Sequence, residues 1–555
     1  MDLPGTSTQS GAHCADDSDD EVPLANQNVD PIQNLVDGDS DDLSSESSDV
    51  SYSSDDDLDI GTAPPVWALT TSGLRPITFV RLSGLLVPCP GQGKPIDYFR
   101  LLLDDIFLEN VIKFSNAYAF EVFKKPDLTP NSRINKWKDI TMDELLHFIG
   151  LLLHTGTIRL NRLQDYWKTD KLFSLQVFRH VMSRDRFLNI LRCLYFHNPN
   201  HQEETSMDKI KFVVGHFNNK MNDIYYPQKE LSLDEAMILW RGRLHFRQYI
   251  KGKRHKYGVK LYSLTEHSGL ILKFHVYGGS SDLEVGGKGH TEKVVLYLLQ
   301  EKLNNGHSIF MDNFYNSYLL ASKLLARNTY CTGTLRLDRK NVPNDIQSAK
   351  LKRGETVARY GNSVMIGKWR DKRVVTYIST EFENEMVDFI TKHKTTLKKP
   401  LPIIQYNAYM SGVDRADQLL SYYPCERKTM RWYKKIFIHI LQMMLLNAHN
   451  LHNKYQRKIN FYKFRLEVIR SLLPPLDVAV ESPGQKRARL GMHQIQKIEG
   501  RTAANRIQRK TVESVVRPHA IRKHLGSVQL VQISLACASA LASKSIMNKK
   551  LNLCK

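Results

Sequence analysis

Four aspartates stand where acids could do chemistry together. Asp234 lies inside the apolar run LSLDEAMIL, Asp312 closes SIFMD, and Asp414 opens YMSGVDRADQLLS, with Asp417 three residues later. A spacing of three puts Asp414 and Asp417 on one helical face. Carboxylates that converge repel and raise one another's pKa unless cations intervene. Mg²⁺ prefers hard oxygen ligands and is the usual ion beside phosphates, so acids rather than His or Cys suit it. Two such ions about 3.5–4 Å apart can activate a nucleophile and stabilise the leaving oxygen of an in-line phosphodiester displacement. Any one of these aspartates alone reads more simply as a cap or turn residue, and Asp414 could merely cap its helix. The signal lies in three acids set on the right elements.

Those elements follow from periodicity. LSLDEAMIL, YGVKLYSLT and LILKFHVYG read as three strands, the last two joined by the turn EHSG. A helix (TEKVVLYLLQEKLNN), the strand SIFMD, a helix (NSYLLASKLLAR) and the strand TYCTG follow. The order β-β-β-α-β-α-β is the start of an RNase H-like α/β layout whose last element is a helix. In that topology the strands bearing Asp234 and Asp312 are neighbours, and the last helix crosses their ends. Residues 335–407 interrupt it with strand-like runs (ETVARY, SVMIGKW, RVVTYIS, PIIQY), a mostly β insertion; the awaited helix spans about 409–421. The domain plan is therefore an acidic arm (1–60), a linker (61–95), a helical region (96–229), a core (230–334), the insertion (335–407), the core's last helix (408–423), a second helical part (424–473) and a basic tail (474–555). In the helical region one helix begins near Ile96 and others follow Thr141 and Ser183 or span about Met207–Ile224. Long helices are expected at about Met430–Tyr455 and 459–473.

Charge separates the chain sharply. The net charge is +20, yet residues 1–60 carry 17 acids and no Lys or Arg, leaving +37 on the rest. The arm is too polar to offset ordering entropy and is expected to be disordered; the basic remainder calls for a polyanion, nucleic acid first. Residues 241–260 hold eight Lys or Arg and no acid, among Phe246, Tyr249 and Tyr257. Arg241, Arg243, Arg247, Lys251, Lys253, Arg254 and Lys256 would set cations beside a scissile phosphate. Arg427, Lys428, Arg431 and Lys434 surround Trp432, which could stack on an unpaired base or pack into the core. His439, His449 and His452 read as structural. The run PGQKRARL resembles a short nuclear import signal. Seven cysteines with no CxxC pair exclude a disulfide framework and a zinc knuckle, and no apolar stretch is long enough to span a membrane.

The segments SLDEAMILWRGRLHFRQYIKGKRHKYGVKLY, IFMDNFYNSYLLASKLL and SGVDRADQLLSYYPCERKTMRWYKKIFIHIL resemble the piggyBac transposase family, over about Pro95 to Leu473. The resemblance places the family's aspartate triad on Asp234, Asp312 and Asp414 and its additional helix aspartate on Asp417. It implies a DNA cut-and-paste transposase that nicks a transposon end, forms and reopens a hairpin, and joins the end at TTAA. It also implies a helical dimerisation and DNA-binding domain built from 96–229 and 424–473, homodimers acting on two DNA ends in the nucleus, and two Mg²⁺ ions replaceable by Mn²⁺. Many members end in a cysteine-rich zinc domain; only Cys537 and Cys554 follow residue 480 here, so no zinc is expected. A transposase-derived DNA-binding protein without transposition activity, and a general Mg²⁺ nuclease, are the alternatives.

Overall fold

A computed structural model describes residues 65–70, 73–124, 132–198, 205–250, 256–390, 394–427, 429 and 431–475. The acidic arm and nearly all of the basic tail lie outside them. The segment expected to be a linker is laid along the body instead. Ala68 bridges Tyr360, Arg75 donates to Asn328 Oδ1 at 2.7 Å, and the Phe79 ring meets His307 at 4.9 Å. Strand β1 (Gly84–Leu85) then pairs antiparallel with β2 (Tyr225–Tyr226). Its partners are scattered over several elements, so the segment carries no periodicity for a sequence reading to find.

Helices α1 (Pro95–Leu102) and α2 (Asp105–Phe123) replace the single helix expected there. The break falls at Asp104, whose carboxylate accepts the Phe107 N–H at 2.8 Å and caps α2. Helices α3 (Met142–Thr157) and α5 (Arg184–Cys193) start at the expected caps, Thr141 and Ser183; α4 (Gln176–Val181) and α6 (Asp208–Ile224) complete the region.

The sheet begins with β3 (Glu230–Leu239), β4 (Gln248–Tyr249), β5 (Tyr257–Glu266) and β6 (Ile271–Val276). Helix α7 (His290–Leu299), β7 (Ser308–Met311), α8 (Tyr318–Ala326) and β8 (Tyr330–Thr334) follow. Strand β5 lies antiparallel to β3, and β3, β7 and β8 run parallel to one another. All four residues of β7 are buried, as a parallel strand covered on both faces requires.

The insertion is not a separate β unit. After α9 (Asn344–Ser348), strands β9 (Thr356–Gly361), β10 (Val364–Arg370) and β11 (Val374–Ser379) extend the same sheet, in the order β4-β5-β3-β7-β8-β11-β10-β9, with β6 also on β5. Strands β12 (Met386–Ile390) and β13 (Thr396–Pro400) form a hairpin apart from it. The run PIIQY is not a strand: it lies in helix α10 (Leu401–Tyr409), with Pro402 in the first turn, where a missing N–H costs nothing. Helix α11 (Gly412–Tyr422) follows at once.

Helix α12 (Trp432–Tyr455) and helix α13 (Phe461–Leu472) return to the first six helices: α12 packs on α1 and α6, α13 on α1 and α3. Asn447 of α12 fastens this bundle to the sheet, accepting from Ile271 N at 3.0 Å and donating to Ile271 O at 2.7 Å.

Candidate active site

Register places the first two acids. Leu233 of β3 faces Met311 of β7, so Asp234 and Asp312 come next on neighbouring parallel strands. Asp312 ends its strand in a turn, its Oδ1 accepting the Phe314 N–H at 2.9 Å. The Asn316 amide fixes that exit point by donating to Met311 O and to Thr334 O, both at 2.9 Å. Only glycine fits opposite: a Cβ at Gly333 would lie 1.8 Å from Met311 O and 2.4 Å from Asn316 Nδ2.

A close approach places the third. Ser232 and Asp234 share one face of β3. A Cβ at Gly412 would come within 2.3 Å of Thr265 Oγ1 and 2.4 Å of Ser232 Oγ, so α11 starts flat against that face. Asp414 sits in its first turn and is exposed; Asp417 is half-buried. The three acids meet electrostatically at Tyr406 of α10. Burial first, then Asp312, Asp234 and Asp414, push the Tyr406 hydroxyl far above its ordinary pKa. Tyr315 is raised in the same way, by burial and then by Glu235, Tyr262, Asp234 and Asp312; its hydroxyl donates to Glu235 Oε2 at 3.1 Å. Tyr406, Tyr315 and Glu235 escaped the sequence reading. Glu235 is adjacent to Asp234 but faces the other side of β3, and nothing in an isolated tyrosine marks it as a neighbour of acids.

The donor chemistry, three carboxylates on convergent elements, fits a hard divalent cation. Among the described residues no group of three His, Cys, Asp or Glu side chains already stands in metal-holding arrangement. Like charges resist close approach, and Asp234 and Asp312 each turn an oxygen to a local backbone N–H, that of Glu235 at 2.8 Å and of Phe314.

The basic residues divide. Arg241, Arg243, Arg247, Lys256 and Arg431 are exposed. The Arg247 guanidinium lies 5.3 Å over the Tyr257 ring, and Tyr257 meets Tyr249 at 4.7 Å. Lys251, Lys253, Arg254 and Lys428 lie outside the described residues. Arg427 and Lys434, expected to meet DNA, instead hold protein carbonyls. Arg427 donates to Leu160 O at 2.7 Å and Thr155 O at 3.0 Å, at the end of α3. Lys434 is 5% exposed and donates to Leu191 O at 2.9 Å and to Arg192 O, at the end of α5. Such cations suit helix C-termini. Burial lowers the Lys434 ammonium to about 7, with Arg431 and Arg192 adding to the effect. Trp432 is half-buried and meets the Phe246 ring edge-on at 5.1 Å, so it packs against the basic segment.

A mixed sheet flanked by helices, with one acid within β3, one just past the end of its neighbour β7 and two on a helix set against β3, is the plan of a transposase. The profile of the family described as Transposase IS4 matches residues 94–449, and the chain belongs to that family. Within it, the chain's relatives are the piggyBac proteins. It is 26% identical over 408 residues to human PiggyBac transposable element-derived protein 3, covering 71% of this chain and 67% of that one. It is 24% identical over 378 residues to human PiggyBac transposable element-derived protein 2, covering 64% and 61%. The fold matches a piggyBac transposase in a synaptic complex with hairpin DNA, with a TM-score of 0.61 at 23% identity, over 77% of this chain and 90% of that one.

Proposed function

We propose that this protein is a DNA strand-transferring transposase of the piggyBac type, acting in the nucleus as a homodimer on DNA ends and TTAA target sites through a hairpin intermediate. One observation carries the reading: the parallel β3–β7 register stands Asp234 and Asp312 at one level on adjacent strands, with the start of the Asp414 helix seated against β3 at Gly412. Asp234, Asp312 and Asp414 would hold Mg²⁺, with Asp417 supporting from the same helix face. The bound ions supply positive charge that lowers the pKa of water or a 3′-OH and offsets charge on the leaving oxygen. The chain's own work is placement. The β3–β7 register sets two acids side by side, Gly412 seats α11 over them, and the exposed cations Arg241, Arg243, Arg247 and Lys256 bind the phosphate backbone, which makes DNA binding salt-sensitive. The shared description of its relatives, transposable element-derived, favours a second reading, a DNA-binding protein without transposition. Metal-dependent cutting of a TTAA-flanked DNA end by the purified protein decides between them. Binding without cutting establishes the second reading, and cutting of random duplex without TTAA preference would establish a general nuclease.

A further inference from the structure

Of the three histidines on α12, His439 is held differently from the other two. His449 gives its Nε2 to the Ile459 carbonyl at 2.8 Å, and the His452 ring packs edge-on against Tyr98 at 5.3 Å; both serve packing. His439 Nδ1 instead meets the Glu426 carboxylate at 2.8 Å, in the loop that joins α11 to α12. The two side chains are 12% and 13% exposed. Gln442, one helical turn along, accepts the N–H of the neighbouring Cys425 at 3.0 Å. The pair is thus anchored from behind.

What lies in front is α11. His439 and Asp417 line one cavity of about 10 Å³, together with Ser263, Thr265, Ala236 and Met443. That space suits a single water, and two hydroxyls, a carboxylate and an imidazole provide the polar partners a buried water needs. Helix α11 is pinned at its start, where Gly412 lies against Ser232 and Thr265. Its apolar face (Val413, Ala416, Leu419, Leu420) packs it along its length on β3, β5 and α12, yet a shift of 1 Å at a reacting group can cost about 10² in rate. Asp417, one turn along, is where a polar hold would refine the angle that this apolar packing sets.

We infer that Glu426 and His439 form a positioning pair that acts across this cavity on Asp417, fixes the orientation of α11, and so ties the setting of Asp414 to the helical bundle through α12. The inference rests on the transposase reading for its functional consequence and on geometry for its structural one. Neither residue is a catalytic residue, since neither touches the reacting atoms.

The test uses full-length protein and the variants His439→Asn, Asp417→Asn and their double. Asparagine keeps an amide near the position of Nδ1, so Glu426 retains a partner and the fold is spared. Cleavage of a TTAA-flanked duplex in Mg²⁺ by H439N is expected to slow about tenfold with unchanged DNA affinity. The double variant is expected to be no slower than D417N alone, because coupled residues are non-additive. Wild-type rates in H439N, or losses that multiply in the double variant, would overturn the inference. If the parent protein itself does not cut, the functional reading falls, and amide exchange decides the positioning claim. H439N must then raise exchange across residues 412–422 while leaving 461–472 unchanged; equal exchange in parent and variant overturns it.

Discussion

Asp234 and Asp312, far apart along the chain, each stand one step beyond a paired residue, Leu233 and Met311, on adjacent parallel strands. Parallel register fixes their level more firmly than any loop could, because slipping it by one residue would send every close-packed side chain of SIFM to the opposite face of the sheet. Asp312→Asn and Asp234→Asn should therefore each reduce strand cleavage by about 10³-fold or more while leaving DNA affinity within about twofold. Gel-based cleavage beside a binding titration at fixed salt checks this. Normal cutting by either variant removes that acid from the mechanism.

Gly412 offers a second, purely steric prediction. Its missing Cβ would meet the Ser232 and Thr265 hydroxyls, which themselves lie 2.8 Å apart. Gly412→Ala must push α11 off the sheet or push the two strands aside, at a cost of about 1–3 kcal/mol. Denaturant unfolding should show that loss. Cleavage should fall further than stability alone explains, because Asp414 moves with the helix. Adding Ser232→Ala should recover part of both.

The basic residues separate into two measurable classes. Arg241→Ala, Arg243→Ala and Arg247→Ala together should weaken DNA binding and reduce the slope of log affinity against log salt by about 1 per lost phosphate contact. Arg427→Ala and Lys434→Met should leave that slope alone. Arg427→Ala should instead lower the melting temperature, since it takes the guanidinium donor from Leu160 O and leaves Thr155 O with the Tyr166 hydroxyl in place of two donors. An unchanged slope in the triple variant would mean that the exposed cations near β3 are a solvated surface.

Much of this was legible in the residues. Short apolar runs gave the strands bearing Asp234 and Asp312, and Ser and Thr caps gave the starts of α3 and α5. What hid was whatever depends on contacts across the fold. The destination of an ammonium or guanidinium such as Lys434 or Arg427 is set by which helix end lies nearby, so local charge density pointed to DNA where the fold supplied carbonyls. Strands β9 to β11 showed their period but not the edge they join, because pairing partners are not written in alternation. Helix α10 was misjudged because PIIQY is short and apolar, a pattern that helix and strand share; Pro402 near its start was the available clue. Tyr406 follows from that misjudgement, for a tyrosine on a strand would have pointed elsewhere.

Glu426 gives a prediction in pH. Burial alone would raise its carboxyl, but the hydrogen bond and charge of His439, with help from Gln442, hold it at about 2. An unfolded glutamate titrates near ~4.3. A folded value below the unfolded one means that the unfolded chain takes up the proton first as pH drops. The stabilisation is complete above about pH 4.3 and is lost as pH falls towards 2. Glu426→Gln removes the charge at every pH and so removes this dependence. The stability gap between parent and variant, measured by urea unfolding from pH 6 to pH 3, should be widest at the upper end and shrink steadily below about pH 4.5. A gap that stays constant over that range would show that Glu426 is not ionised against His439, and would leave the ring with no anchor from which to act on Asp417.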